Sequence, residues 1–111
     1  MSAWDLLLWA VGRRRRIRIV GASMAPTFRP GDEVLVDPRA YRTRPPVRGD
    51  VVLARHPYRG DVRLVKRVTR VEPSGAVFLE GDNPAESSDS RVFGALRPER
   101  LLGRVVGSFG S

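Results

Sequence analysis

Hydrophobic positions along this chain come in short runs, mostly with a period of two, separated by turns that carry Gly and Pro. Ile17-Arg18-Ile19-Val20 alternates and is rich in β-branched residues, so it predicts a strand. Glu33 to Asp37 predicts a second. Pro38 to Gly49 is rich in arginine and proline without a period and reads as an exposed loop. Val51 to Ala54 is a short apolar strand, and Arg59-Gly60-Asp61 a turn. Val62 to Val71 is the longest strand candidate; Glu72 to Gly75 turns it into a hairpin partner, Ala76 to Glu80. Gly81 to Arg91 is a polar loop, and Leu101 to Val106 is a closing strand. Strands at intervals of roughly 8 to 12 residues imply a small, mostly β domain, a sandwich or barrel. At 111 residues the chain has room for one such core, residues 17–111, behind a short apolar and basic N-terminal segment, residues 1–16.

That N-terminal segment changes the picture only modestly. The run from Trp4 to Val11 falls far short of the roughly 20 apolar residues a spanning helix needs. Its charges, Arg13 to Arg16, follow the apolar run, contrary to a secretory signal. It reads as a short helix packed on the domain. The alternative is a peripheral membrane contact through Trp4, Leu6, Leu7, Leu8 and Trp9, with Arg13 to Arg16 at the headgroups. The expected location is cytoplasmic or membrane-peripheral.

The net charge is +8, and all but one of the 20 basic residues are arginine. A basic β-module that binds nucleic acid would interleave aromatics with arginines on one sheet face. The Val62 to Val71 run has no aromatic, and Phe78 is the single one in its partner, so no nucleic-acid partner is expected. With no cysteine, disulfides, thiolate metal sites and a cysteine nucleophile are excluded; the single histidine leaves only carboxylates as further metal ligands, so neither a metal nor a cofactor is expected.

The chemistry concentrates around Gly21-Ala22-Ser23-Met24-Ala25-Pro26-Thr27, followed by Gly31-Asp32. This stretch sets a serine in a Gly-led turn, where it needs a neighbouring base to act as a nucleophile. The chain's single lysine is Lys66, in the longest strand. Alternation places Val62, Leu64, Lys66 and Val68 on one face and Arg63, Val65, Arg67 and Thr69 on the other. Aliphatic neighbours desolvate an ammonium and lower its pKa. A drop of about 3 units from the ordinary value would leave much of it neutral at pH 7. Arginine stays charged and cannot serve. His56, the rival base, lies in a basic turn with no adjacent acid to orient it. The Gly81 to Arg91 loop is dense in hydroxyls that would hold a neutral lysine amine, and its Asp89 and Arg91 are suited to pair.

Together these stretches resemble the signal peptidase I family of Ser/Lys endopeptidases. Gly21 to Thr27 with Gly31-Asp32 is similar to the nucleophile box, and Arg48-Gly49-Asp50-Val51-Val52 to the strand box that follows. Val65-Lys66-Arg67-Val68 is similar to the general-base box, and Gly81-Asp82-Asn83 with Ser87, Asp89, Ser90 and Arg91 to the final box. The resemblance implies that Ser23 is the nucleophile, Lys66 its base and Ser87 the hydroxyl that orients the lysine. It implies supporting roles for Asp82, Asp89, Arg91 and Arg67, and a substrate pocket lined by Met24. Where some members carry an oxyanion-donating serine, this chain has Gly21, so the hole leans on backbone N–H groups including that of Ser23. The 14 residues between Lys66 and Gly81 leave no room for the insertion of many bacterial members. A short member without an anchor resembles the proteases that mature nickel-type superoxide dismutase by removing an N-terminal extension. The alternative within the family is a membrane-associated signal peptidase.

Overall fold

The computed structural model describes residues 2–10, 12–86 and 89–109. An N-terminal helix, α1 (Ala3–Ala10), precedes β1 (Arg15–Arg18), β2 (Glu33–Asp37), β3 (Val51–Arg55), β4 (Arg63–Val71) and β5 (Val77–Glu80). A one-turn helix, α2 (Ser90–Phe93), then leads to β6 (Leu101–Ser108). The strands form a single antiparallel sheet in the order β1-β2-β6-β3-β4-β5. The mostly-β expectation therefore holds, and it takes the form of one curled sheet with apolar packing on both faces.

Curling follows from the way the core divides. Ile19, Val34, Val36 and Leu53 form one buried cluster, joined by Ile17, Val65 and Val105. This cluster draws on β1 and β4, which are separated by three strands in the sheet order, so this face is concave. Val52, Ala54, Val68, Val77, Leu79 and Leu96 form the core of the opposite face, covered by Tyr41, Phe93 and Leu101. Because alternate residues point to opposite faces, Val65 and Val68 serve different cores from one strand. Gly103 makes the close packing of β2 and β6 attainable: a Cβ there would lie 2.6 Å from both the Asp37 carbonyl oxygen and Val36 Cγ1.

Two expectations shift. The first strand begins two residues earlier than the pattern implies, at Arg15, because pairing with β2 sets its register, from Arg15 opposite Val36 to Arg18 opposite Glu33. Arg16 and Arg18 both bind the Glu33 carboxylate, while Ile19 exchanges hydrogen bonds with the Gly31 and Asp32 backbone. The segment 38–49 is not simply an exposed loop. It contains a 3-10 turn, Ala40–Arg42, and Tyr41 packs on the second core while its hydroxyl donates to Asp50 at 2.8 Å.

Helix α1 opens on Ser2, whose hydroxyl donates to Asp5 and accepts the Asp5 N–H, a reciprocal N-terminal cap. Arg14 bridges Asp5 and Asp37, tying the helix to the end of β2. Leu8 is buried, and Trp9 meets Phe109 edge-on at 5.3 Å with Arg16 stacked over Phe109. The helix thus packs along a narrow stripe. Trp4, Leu6 and Leu7 remain exposed.

Candidate active site

Ser23 sits in the 21–28 turn that leaves β1 and crosses toward the end of β5. Gly21 adopts φ of 81°, a conformation that side-chain-bearing residues rarely take, so glycine suits this position for backbone reasons. Within the turn, the Ala25 N–H donates to Ala22 O and the Phe28 N–H to Met24 O. Asp32 accepts the Arg29 N–H through its side chain and closes the far side.

The turn is clamped to the segment after β5 by three contacts. The Asn83 N–H donates to the Ser23 carbonyl at 2.8 Å, and Asn83 Nδ2 donates to the Ala22 carbonyl at 3.1 Å. The Thr27 hydroxyl donates to Asp82 Oδ2 at 2.6 Å. Asp82 also receives Arg67 Nε and Nη2, both at 2.9 Å, a two-point pair, and Arg67 Nη1 reaches the Gly49 carbonyl. Arg67 thereby connects three of the four boxes directly and reaches the fourth, the serine turn, through Asp82 and Thr27. Its hydrogen bonds hold the Asp82 carboxyl below the usual aspartate range.

Lys66 lies on β4 directly opposite Val52, between Leu64 and Val68 on its own strand, as alternation predicts. It is only 3% exposed. Burial pulls the ammonium below the ordinary lysine value; the Asp89 charge works against this and the Arg91 charge adds to it. Ser23 and Lys66 line the same cavity of about 380 Å³, together with Met24, Ile17, Ile19, Leu53 and Val65. Met24 itself is almost wholly buried in the cavity wall.

Asp89 is fully buried. It caps α2 by accepting the Arg91 N–H, accepts the Gly81 N–H at 2.9 Å and holds Arg91 through Nε and Nη2. The pairing suggested by the sequence is present, but Arg67 takes no part in it: its partner is Asp82. Ser90, also buried, accepts the Leu79 N–H through its hydroxyl. Ser87, the expected lysine-orienting residue, lies outside the described residues.

His56 is not among the residues that line this cavity. Its Nδ1 accepts the N–H groups of Tyr58 and Arg59, and its ring rests against Phe93 at 5.2 Å between centroids. The imidazole organises a turn. Thr27 and Asn83, in contrast, are clamp residues whose separate roles the sequence reading missed. The Asn83 clamp had a visible signal, an amide following Gly81-Asp82, but its target lies 61 residues away in sequence. No cluster of potential metal ligands occurs among the described residues.

Edge geometry completes the site. β4 pairs with β3 from Arg63 onward but with β5 only from Arg67 onward. Its Arg63–Val65 portion therefore has no strand partner on the β5 side, and these residues line the cavity. β1 pairs with β2 alone, so it too presents an open edge. Among the described residues, the Ser23 N–H donates to no other group.

Comparison with known proteins agrees with this arrangement. Residues 6–72 and 69–109 match the family described as signal peptidase, peptidase S26. The chain is 33% identical over 108 residues to the mitochondrial ATP-independent inner membrane protease subunit 1b of Arabidopsis thaliana, covering 78% of this chain and 64% of that protein. It is 32% identical over 104 residues to the mitochondrial inner membrane protease subunit 1 of Xenopus tropicalis, covering 77% and 62%. It is 33% identical over 108 residues to signal peptidase I of Pseudomonas aeruginosa, covering 85% and 35%. The chain thus spans under two thirds of the length of these relatives. With the ordered boxes, the shared Ser23 and Lys66 cavity and these matches together, the chain belongs to the signal peptidase, peptidase S26 family.

Proposed function

We propose that this protein is a serine endopeptidase in which Ser23 and Lys66 form a catalytic dyad. The observation that carries this reading is their convergence on one cavity, with the chain's single lysine buried and its ammonium destabilised. Neutral Lys66 Nζ takes the Ser23 Oγ proton as Oγ attacks the scissile carbonyl. The tetrahedral oxyanion accepts from the unused Ser23 N–H. The C–N bond then breaks, and the leaving amine takes the proton from Lys66. Water then gives a proton to the neutral Lys66 amine as its oxygen attacks the acyl carbonyl; the ester bond to Ser23 Oγ breaks, the acid product leaves, and Lys66 returns the proton to Oγ. Ser87 is assigned the lysine-orienting hydroxyl, in keeping with its place in the final box.

An extended peptide fits between the open edges of β1 and β4, adding as a strand with its small side chains in the cavity beside Met24. The finer reading is that the substrate is a precursor bearing a short N-terminal extension, that of a nickel superoxide dismutase. What supports it is the short connection from Lys66 to Gly81, 14 residues, which leaves no room for the insertion of many bacterial members. A second reading concerns location. The bare Trp4, Leu6 and Leu7 on α1, with exposed Arg13 nearby, support a peripheral contact with an anionic membrane surface. No helix among the described residues is long and apolar enough to cross a bilayer.

The test is incubation with a nickel superoxide dismutase precursor and with a signal-peptide-bearing preprotein, reading new N-termini by mass spectrometry. Cleavage is expected to disappear in Ser23→Ala and Lys66→Ala, and in Lys66→Arg because arginine cannot act as the base. Activity surviving in Lys66→Arg would rule out the dyad. Processing of the preprotein alone would transfer the assignment to a general signal peptidase.

A further inference from the structure

A second cavity, of about 430 Å³, adjoins the first; Leu53 and Arg63 line both. Its apolar floor includes Val36 and Leu53, and its rim carries Arg15, Arg55 and Arg63. The three arginines come from three strands by one rule. On β1, β3 and β4 respectively, each is the next same-face residue beyond Ile17, Leu53 and Val65, which belong to the concave core. The concave face therefore changes from aliphatic to cationic at one end, away from Lys66.

This arrangement costs stability. Arg55 and Arg63 face each other directly across the β3–β4 ladder, and like charges in that position repel. Among the described residues, none of the three has a carboxylate within ion-pair distance, although Asp61 lines the same cavity. Arg55 is held in place by donating to the Gly60 carbonyl at 2.9 Å. Most other strand arginines on this protein are matched: Arg16 and Arg18 with Glu33, Arg67 with Asp82, Arg70 with Glu72. An unmatched trio around a cavity that continues the substrate cleft is suited to an anion supplied from outside.

We propose that Arg15, Arg55 and Arg63 form a subsite for an acidic side chain of the peptide substrate. This rests on the peptidase reading for its place in catalysis. A strand advances about 3.3 Å per residue, so Arg63 lies roughly 10 Å along β4 from Lys66. The carboxylate belongs three to five residues from the scissile bond. Guanidinium groups bind it by paired, charge-assisted hydrogen bonds.

The experiment uses the full chain and peptides with a small-residue cleavage site, in which one Glu or one Gln is placed three, four or five residues to either side. Wild type supplies kcat/KM by mass spectrometry, and Ser23→Ala supplies affinity by fluorescence anisotropy. At one of these positions, Glu is expected to outperform Gln by about tenfold in both readouts. The ratio should fall toward one in Arg55→Gln/Arg63→Gln and shrink with added salt, since exposed charges are screened. Equal handling of Glu and Gln at every position, or a preference that persists in the double variant, overturns the subsite. If wild type cleaves none of the peptides, the peptidase reading falls, and the anisotropy ratio still decides the carboxylate site.

Discussion

Replacing Asp82 with Asn removes one negative charge from the point where three boxes meet. In the native protein, Asp82 accepts from Arg67 twice at 2.9 Å and from Thr27 at 2.6 Å. Asparagine is nearly isosteric, but Arg67 donates to both carboxylate oxygens, so in either orientation the amide NH₂ faces a guanidinium N–H and one contact becomes repulsive. Charged hydrogen bonds contribute about 1.5–3 kcal/mol each when sheltered. Here the Arg67 and Asp82 side chains retain 32% and 18% exposure, so solvent discounts the total. A net loss of about 2 kcal/mol is expected, or a fall in Tm on the order of 10 °C for a domain of this size. The sign with pH follows from the lowered Asp82 pKa: this stability is present above the ordinary aspartate range and is lost as pH falls through the folded-state value. Thermal unfolding across that range checks the magnitude, and hydrogen exchange at Asn83 N–H reports whether the serine turn has loosened. Protection there should drop more than in β3, with kcat falling more than KM rises. An Asp82→Asn protein with unchanged Tm and an equally protected Asn83 would refute the clamp.

Further expectations rest on the same geometry. Activity should rise with pH as Lys66 loses its proton, with an inflection below the ordinary lysine value of about 10.4; an inflection at or above it contradicts a desolvated base. Because the Asp89 charge raises the Lys66 pKa, Asp89→Asn should move that inflection downward, and an upward movement in the pH–rate profile would reverse the electrostatic assignment. Gly103→Ala drives a Cβ within 2.6 Å of the Asp37 carbonyl, so about 2–3 kcal/mol of destabilisation is expected by denaturant unfolding. Glu72→Gln, on an exposed pair with Arg70, should stay within about 0.5 kcal/mol of wild type and serves as the control.

Much of this protein is readable in its sequence because the controlling physics is local. Period-two alternation placed β2 at its observed bounds and put Lys66 on the Val68 face, since side-chain direction in a strand depends only on parity. Gly21 and the Gly81-Asp82-Asn83 run marked the turn and the segment that meets it. Elimination isolated Lys66 as the candidate base, because arginine cannot lose its proton at workable pH. Long-range pairing was not readable in the same way. Strand order decided that β1 and β4, three strands apart, border one cavity, and that both keep an open edge there. The register of β1 was set by β2, not by its own pattern. Arg67 and Arg91 both lie within boxes, and parity alone does not say which acid Arg67 meets. The Asp89–Arg91 pair was readable within its own loop; tertiary closure assigned Arg67 to Asp82. The arginine trio follows the same division: each member is ordinary in its own strand, and only the curl of the sheet brings the three around one cavity.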